Sequence, residues 1–401
     1  MRAIFWAALL FHALGVIGLA LTEKFPSPLD ELAHYSYAVD VADTPRLFPE
    51  FASMRLQELD TELWTSTANY LGHPSPYYHL MGTALLPDVL AGPSSWPVGA
   101  WAMRWWNVAM SVAAMALILS AGLSFLAGVK ERFVFSASAV LFPPLAVVGG
   151  IVSNDNFALL GAAMVFLGFA RRFQGGVSAE LLMATGLILA GWAKLTAFLM
   201  LSGVVAFVEV HSLVSRERVM LGWRQLLLLS AMFVGSIPYV VNLFVLGSPT
   251  YLAEQYFVEL AAARDITPVG VGQYALTFFR GFLVTWSALE PANSVQILGL
   301  CLVLVLIVVG MRAPLRGTAE RQNDVMLLCL CSGVAFLLVL PLHFYAGWSV
   351  HEKTGHLISS YARYYYPLWP GFALAIARSV SVFARLPLAD RFPLLRSDLI
   401  W

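Results

Sequence analysis

Charge is scarce in this chain. Asp, Glu, Lys and Arg make up 12% of its 401 residues, against roughly 25% in an ordinary water-soluble domain. The shortage is uneven, with long apolar runs separated by short charged clusters, and this excludes a domain bathed in water on every side. Net charge is zero, so there is no basic surplus of the kind that holds nucleic acid. Cysteine is nearly absent. Cys301, Cys329 and Cys331 all sit inside apolar runs, where they read as small buried hydrophobes with neither disulfide nor metal spacing. No internal repeat and no low-complexity tract is present, which removes the simplest sign of a transporter built from duplicated halves.

Hydrophobic residues, in contrast, account for 59% of the chain. A membrane-spanning helix needs about 20 apolar residues. Ten runs qualify or nearly do: 3–21, 105–127, 133–152, 156–170, 180–194, 195–210, 225–246, 294–311, 325–344 and 365–384. The first follows Met-Arg and lacks a small-residue cleavage site, so it reads as an uncleaved span, not a signal peptide. With the N-terminus inside, fifteen of the 24 basic residues fall on the inner side with eight of the 24 acids. This is the bias that orients membrane proteins. It also splits 180–210 at Lys194, because Arg171–Arg172 and Arg216–Arg218 must both lie inside.

The expected fold class is therefore all-α: a polytopic membrane module over 1–384 and a short cytoplasmic tail over 385–401, with both termini inside a cytoplasmic membrane. Three outer loops have enough length for chemistry, at 22–104, 247–293 and 345–364. Residues 77–91 are apolar but short and carry Pro87 and Asp88, so they read as a helix lying in the outer interface.

The first outer loop is the most informative. After Pro26 and Pro28 end the first helix, Asp30 and Glu31 open an amphipathic one, with His34 and Tyr37 one and two turns on. Asp30 could simply cap that helix. It could also join His34 and Tyr37 in a site near the membrane surface, where pKa values move. His73-Pro74-Ser75-Pro76-Tyr77-Tyr78 forms a stiff turn that presents His73 and two tyrosines. Few cations lie outside. Lys194, between two apolar runs, is costly at membrane depth unless it faces a cavity or a partner. Arg363 stands in a tyrosine cluster and suits bidentate binding of phosphate. Arg104 lies among tryptophans. Asp155 either pairs with one of these cations or caps the helix that follows. Lys353, Arg264 and Arg280 are weaker candidates.

These motifs in this order resemble the GT-C glycosyltransferases, which include lipid A aminoarabinose transferases and protein O-mannosyltransferases. The resemblance rests on Asp30-Glu31-Leu32-Ala33-His34, His73-Pro74-Ser75-Pro76-Tyr77-Tyr78, Arg104, Asn154-Asp155-Asn156, Ala193-Lys194-Leu195-Thr196 and Arg363-Tyr364-Tyr365-Tyr366-Pro367, from the N-terminus to about residue 380. It departs from many relatives at Leu29 and Leu32. The resemblance implies transfer, with inversion, of a sugar from a polyprenyl-phosphate donor to a glycan, lipid or protein acceptor on the outer face. In that reading Asp30 is general base and Glu31 its catalytic neighbour. Lys194, Arg363 and Arg104 bind the donor phosphate, and His34, Tyr37, His73, Tyr77 and Asp155 bind substrate. A divalent cation, magnesium or manganese, would find ligands among Asp30, Glu31, His351 and His356, although His351-Glu-Lys-Thr-Gly-His356 lacks zinc-protease spacing. The rival reading is a multi-pass transporter or flippase, which leaves the long acidic first loop unexplained.

Overall fold

A computed structural model of the chain describes residues 1–58, 63–85, 97, 99–176, 178–215, 222–263, 268–287, 294–312, 319–356 and 362–383. The expected tail at 385–401 lies outside the described residues, as do Arg264 and the second half of the 77–91 segment. The chain is a multi-pass membrane protein built almost wholly of helices. Its helices in chain order are α1 (Arg2–Thr22), α2 (Glu31–Asp43), α3 (Pro76–Gly82), α4 (Ala100–Phe125), α5 (Val129–Val140), α6 (Pro143–Gly149), α7 (Asp155–Phe173), α8 (Ala179–Gly191), α9 (Leu195–Ser215), α10 (Trp223–Leu246), α11 (Glu254–Ala263), α12 (Val271–Ser287), α13 (Ser294–Arg312), α14 (Ala319–Thr354) and α15 (Trp369–Phe383). Among the described residues six of these are long and apolar enough to cross a membrane, and the stretches Ala179–Gly191 and Leu302–Met311 are shorter apolar helix. Each of the ten expected runs falls on helix.

The differences have local causes. The expected span 133–152 is two short helices, because Pro143 and Pro144 cannot continue α5 and instead start α6. The late loop expected at 345–364 is mostly helix. α14 has 36 residues, up to about 54 Å at 1.5 Å per residue, which is longer than a hydrocarbon core of about 30 Å requires. The middle loop holds α11 and the amphipathic α12, which buries Tyr274 and Phe278 and exposes Val271 and Leu276. The first loop contains a small antiparallel hairpin, Arg55–Gln57 (β1) against Trp64–Ala68 (β2).

The direction of the helices sets the position of every charged turn. α7 runs away from Asp155, α8 returns, and α9 runs away again from Lys194. At one end of this trio Lys194 Nζ meets Asp155 Oδ1 at 2.6 Å. At the other, Arg172 pairs with Glu209, and Gln225 Nε2 donates to Glu209 Oε2 at 2.9 Å. The split at Lys194 is thus a real reversal. α7 and α8 approach closely because a Cβ on Gly161 would lie 2.7 Å from Gly186 O. Small residues at such crossings are how helices pack where lipid offers no hydrophobic drive.

Candidate active site

Asp30 stands at the start of α2 with φ 66°, the left-handed region, and its side chain makes no capping hydrogen bond. The simple capping role is therefore corrected. A non-glycine residue in this region costs of order 1 kcal/mol or more and clusters at functional sites, and Asp is among the residues that tolerate it. The twist aims the carboxylate away from the helix. One oxygen, Oδ2, pairs with Arg363 Nη2 from the segment leading into α15, while Oδ1 accepts from the Tyr70 hydroxyl at 2.8 Å. Arg363 also donates from Nη1 to Leu29 O at 3.2 Å.

Arg363 links this corner to a second pair. Its Nε lies 3.8 Å from Asp155 Oδ2, and Asp155 holds Lys194. Asp30, Arg363, Asp155 and Lys194 therefore form one chain of alternating charge at one end of the bundle. Tyr364 backs it, with Lys194 Nζ 4.1 Å and the Arg363 guanidinium carbon 5.6 Å from its ring centre. Asn154 fastens the floor by donating from Nδ2 to Ala193 O at 2.9 Å. Asn107 of α4 accepts from Asn156 Nδ2 at 2.9 Å and from the Tyr77 hydroxyl at 3.1 Å.

Two expected site residues have another place. Arg104 and Glu31 are completely buried against each other, with Nε to Oε1 at 2.8 Å and Nη2 to Oε2 at 2.6 Å. Arg104 also donates to the carbonyls of Ala20, Glu23 and Lys24, and Glu31 accepts the backbone N–H groups of Ser27 and Val152. This pair joins the end of α1, the start of α2, α4 and the α6–α7 turn. Its donors and acceptors are engaged within the fold, so Glu31, expected in catalysis, and Arg104, expected on a phosphate, here fasten these elements to one another.

The expected substrate residues are also mostly closed. Tyr37 and Tyr77 have no exposed surface, and His34 is 3% exposed. Tyr37 stacks on Tyr78 with ring centres 3.6 Å apart and donates its hydroxyl to His73 O at 2.7 Å. His34 Nδ1 is 2.9 Å from the Tyr78 hydroxyl. Only His73 of this group is partly exposed, its ring parallel to that of His34 at 6.2 Å. These residues pack into one aromatic wall near Asp30, with His73 at its partly exposed edge. Sequence reasoning noted Asn154 only within its Asn-Asp-Asn motif and missed Tyr70 and Asn107, whose parts depend on partners distant in the chain.

For a divalent cation the residues fit poorly. Among the described residues no group of three or more His, Cys, Asp and Glu side chains is assembled. Asp30 is paired with Arg363 and Glu31 with Arg104. The His351 ring nitrogens meet the backbone of Val269 and the carbonyl of His356, at 3.1 and 3.2 Å.

The charges around Asp30 also set titration. Burial pushes the Asp30 carboxyl up, but Arg363 and the Tyr70 hydrogen bond outweigh it and hold the group below the usual carboxylate range. Burial drives the His34 imidazole down from 6.5 to about 3, against the pull of Asp30 and Asp155, and it drives His73 well down also. His34 is thus neutral in the fold where an unfolded chain would be protonated. Because the unfolded chain binds the extra proton, stability is complete above about pH 6.5 and declines as pH falls toward 3. Thermal unfolding in detergent should show this slope between pH 6.5 and 4, and His34→Gln, which stays neutral, should make it shallower, with His73 carrying the remainder. An equal slope in the variant would mean that other groups carry it.

No family model and no curated protein sequence matches the chain. In three dimensions it is similar to ArnT from Cupriavidus metallidurans, a structure solved with bound undecaprenyl phosphate, at a TM-score of 0.51 and 13% identity. The match covers 97% of this chain and 61% of that one, so this chain spans about three fifths of that protein's length. The likeness is one of fold.

Proposed function

We propose that this protein is an inverting glycosyltransferase that takes a sugar from a polyprenyl-phosphate donor, with its site on the outer face of a cytoplasmic membrane and both termini inside. The observation that carries the reading is the chain of ion pairs from Asp30 to Arg363, from Arg363 to Asp155 and from Asp155 to Lys194, which gathers a carboxylate base and two cations at one end of the bundle. The resemblance of the fold to a protein crystallised with undecaprenyl phosphate supports the donor class.

In this mechanism an acceptor hydroxyl attacks the anomeric carbon from the face opposite the phosphate. The new C–O bond forms as the sugar–phosphate C–O bond breaks, and the acceptor proton passes to Asp30. The phosphate leaves with one more negative charge, which the Arg363 guanidinium and the Lys194 ammonium stabilise where it develops. Phosphate bound here displaces Asp155 from Lys194 and Asp30 from Arg363, so the cations change partners and are never left buried without one.

The test is release of polyprenyl phosphate by the protein in lipid nanodiscs supplied with a panel of polyprenyl-phosphate sugars and acceptors. Lys194→Met should lower turnover about 10²- to 10³-fold, the usual cost of removing one group that faces developing charge. Binding of donor without release, together with movement of the lipid between leaflets, would replace this reading with a flippase.

A further inference from the structure

Asp30 has two oxygens that face different ways. Oδ2 meets Arg363 on the side of the proposed donor phosphate, and Oδ1 meets Tyr70 on the other. In an inverting displacement the acceptor enters opposite the leaving phosphate, with the base beside it. The acceptor therefore belongs on the Tyr70 side.

That side is built of aromatic rings from three separate outer segments. The Tyr70 ring, from the stretch between β2 and α3, stacks on Tyr256 of α11 with centres 4.7 Å apart and planes 20° apart. Tyr256 meets Phe257 edge to face at 5.3 Å, and Phe257 stacks on His356 at 5.2 Å. His356 is delivered by the turn that ends α14. There Gly355 takes φ 72°, a backbone that favours glycine, and its N–H bonds His351 O at 2.8 Å. All four rings are partly exposed, in contrast with the sealed Tyr37, Tyr77 and His34. α11 is held in place beside them. Tyr251, just before it, packs so closely on Gly72 that a Cβ there would lie 2.8 Å away, and Glu254 meets Lys353 of α14 at 3.6 Å.

We propose that Tyr70, Tyr256, Phe257 and His356 form the acceptor subsite, and that its ligand is a sugar ring. This rests on the glycosyltransferase reading for its role, and on the aromatic wall for its ligand. A pyranose has an apolar C–H face and polar edges. Aromatic faces with hydroxyl and imidazole tips match both, and they bring large contact area with little side-chain freedom to lose. A lipid chain would have no use for the polar tips, and a basic or acidic peptide would need charge that the wall lacks.

The test needs no turnover. Saturation-transfer NMR is recorded on the full chain in nanodiscs with methyl β-glucoside, methyl β-galactoside and methyl α-mannoside, with glycerol and a serine-containing hexapeptide as comparisons. Transfer to the ring C–H protons of at least one pyranoside is expected. It should fall about tenfold in Tyr256→Ala and Phe257→Ala, return in Tyr256→Phe, and persist in Val214→Ala at the far end of α9, with unfolding midpoints unchanged in all. Absence of transfer from every pyranoside, signals insensitive to these substitutions, equal signals from glycerol, or transfer from the hexapeptide alone would each overturn the subsite. Pyranoside binding that behaves as expected in a protein that releases no polyprenyl phosphate would keep the sugar site and remove the transferase. Release of polyprenyl phosphate without pyranoside binding would do the reverse.

Discussion

Asp30→Asn should stop sugar transfer and, at the same time, tighten the hold on the donor's phosphate. Loss of a general base costs roughly 10² to 10⁴ in rate, and Asn keeps the shape of the side chain while it gives up proton affinity. The second effect comes from the ion pair. Asp30 holds Arg363 in the resting protein, so a phosphate must compete with a carboxylate for the same guanidinium. An apparent affinity is reduced by the fraction of protein in the competent state. If the partly exposed pair contributes about 1 kcal/mol, its removal raises affinity for undecaprenyl phosphate about fivefold. Under the proposed mechanism the same exchange would let a base rest below the usual carboxylate range. Arg363 keeps Asp30 ionised and weakly basic, and departure of Arg363 to a donor phosphate would raise its proton affinity. Equilibrium binding of undecaprenyl phosphate to wild type and variant, alongside turnover, checks both halves. Turnover that survives in Asp30→Asn removes Asp30 as the base. Turnover lost with affinity unchanged or weaker leaves the base and removes the competition for Arg363.

Arg104→Ala should be the most damaging single change to stability. It leaves Glu31 fully buried with its cation gone, and strips hydrogen bonds from three carbonyls at the end of α1. Breaking a buried pair from one side costs about 3–5 kcal/mol, because a charge is left without compensation. The expected result is a large fall in unfolding midpoint and in the yield of folded protein. A double replacement, Glu31→Gln with Arg104→Gln, should cost less than the two single changes added together, since neither partner is left charged. The measurement also separates fold from chemistry. Full stability with lost turnover in the single variants would return Glu31 and Arg104 to the reaction.

The contrast between Asp30 and Glu31 shows what neighbours in sequence can conceal. The two acids are adjacent, and by local pattern both suit the start of a helix. In the structure they part. The left-handed turn at Asp30 sends its carboxylate to Arg363, 333 positions away, while Glu31 points into the bundle and meets Arg104, 73 positions away. Arg104 and Arg363 looked alike for similar reasons, each a cation beside aromatics at a helix entrance. Only their partners distinguish a fastener from a candidate phosphate ligand.

What the sequence determined by itself follows from short-range physics. The apolar runs set the helices, because lipid offers no hydrogen-bond partner to an unpaired backbone. The bias of Arg and Lys between loops set which turns share a side. Lys194 was legible as a reversal point because a charge between two apolar runs must reach an edge or a partner. The tertiary structure alone decided which polar residues face one another. It joined Asp30 and Tyr70 from the first loop, Asp155 and Lys194 from two helix turns, and Arg363 from the last. It sealed His34, Tyr37 and Tyr77 behind them and brought Tyr256, Phe257 and His356 alongside. Those meetings depend on how long helices cross and where each ends in space, and no local pattern of residues encodes that.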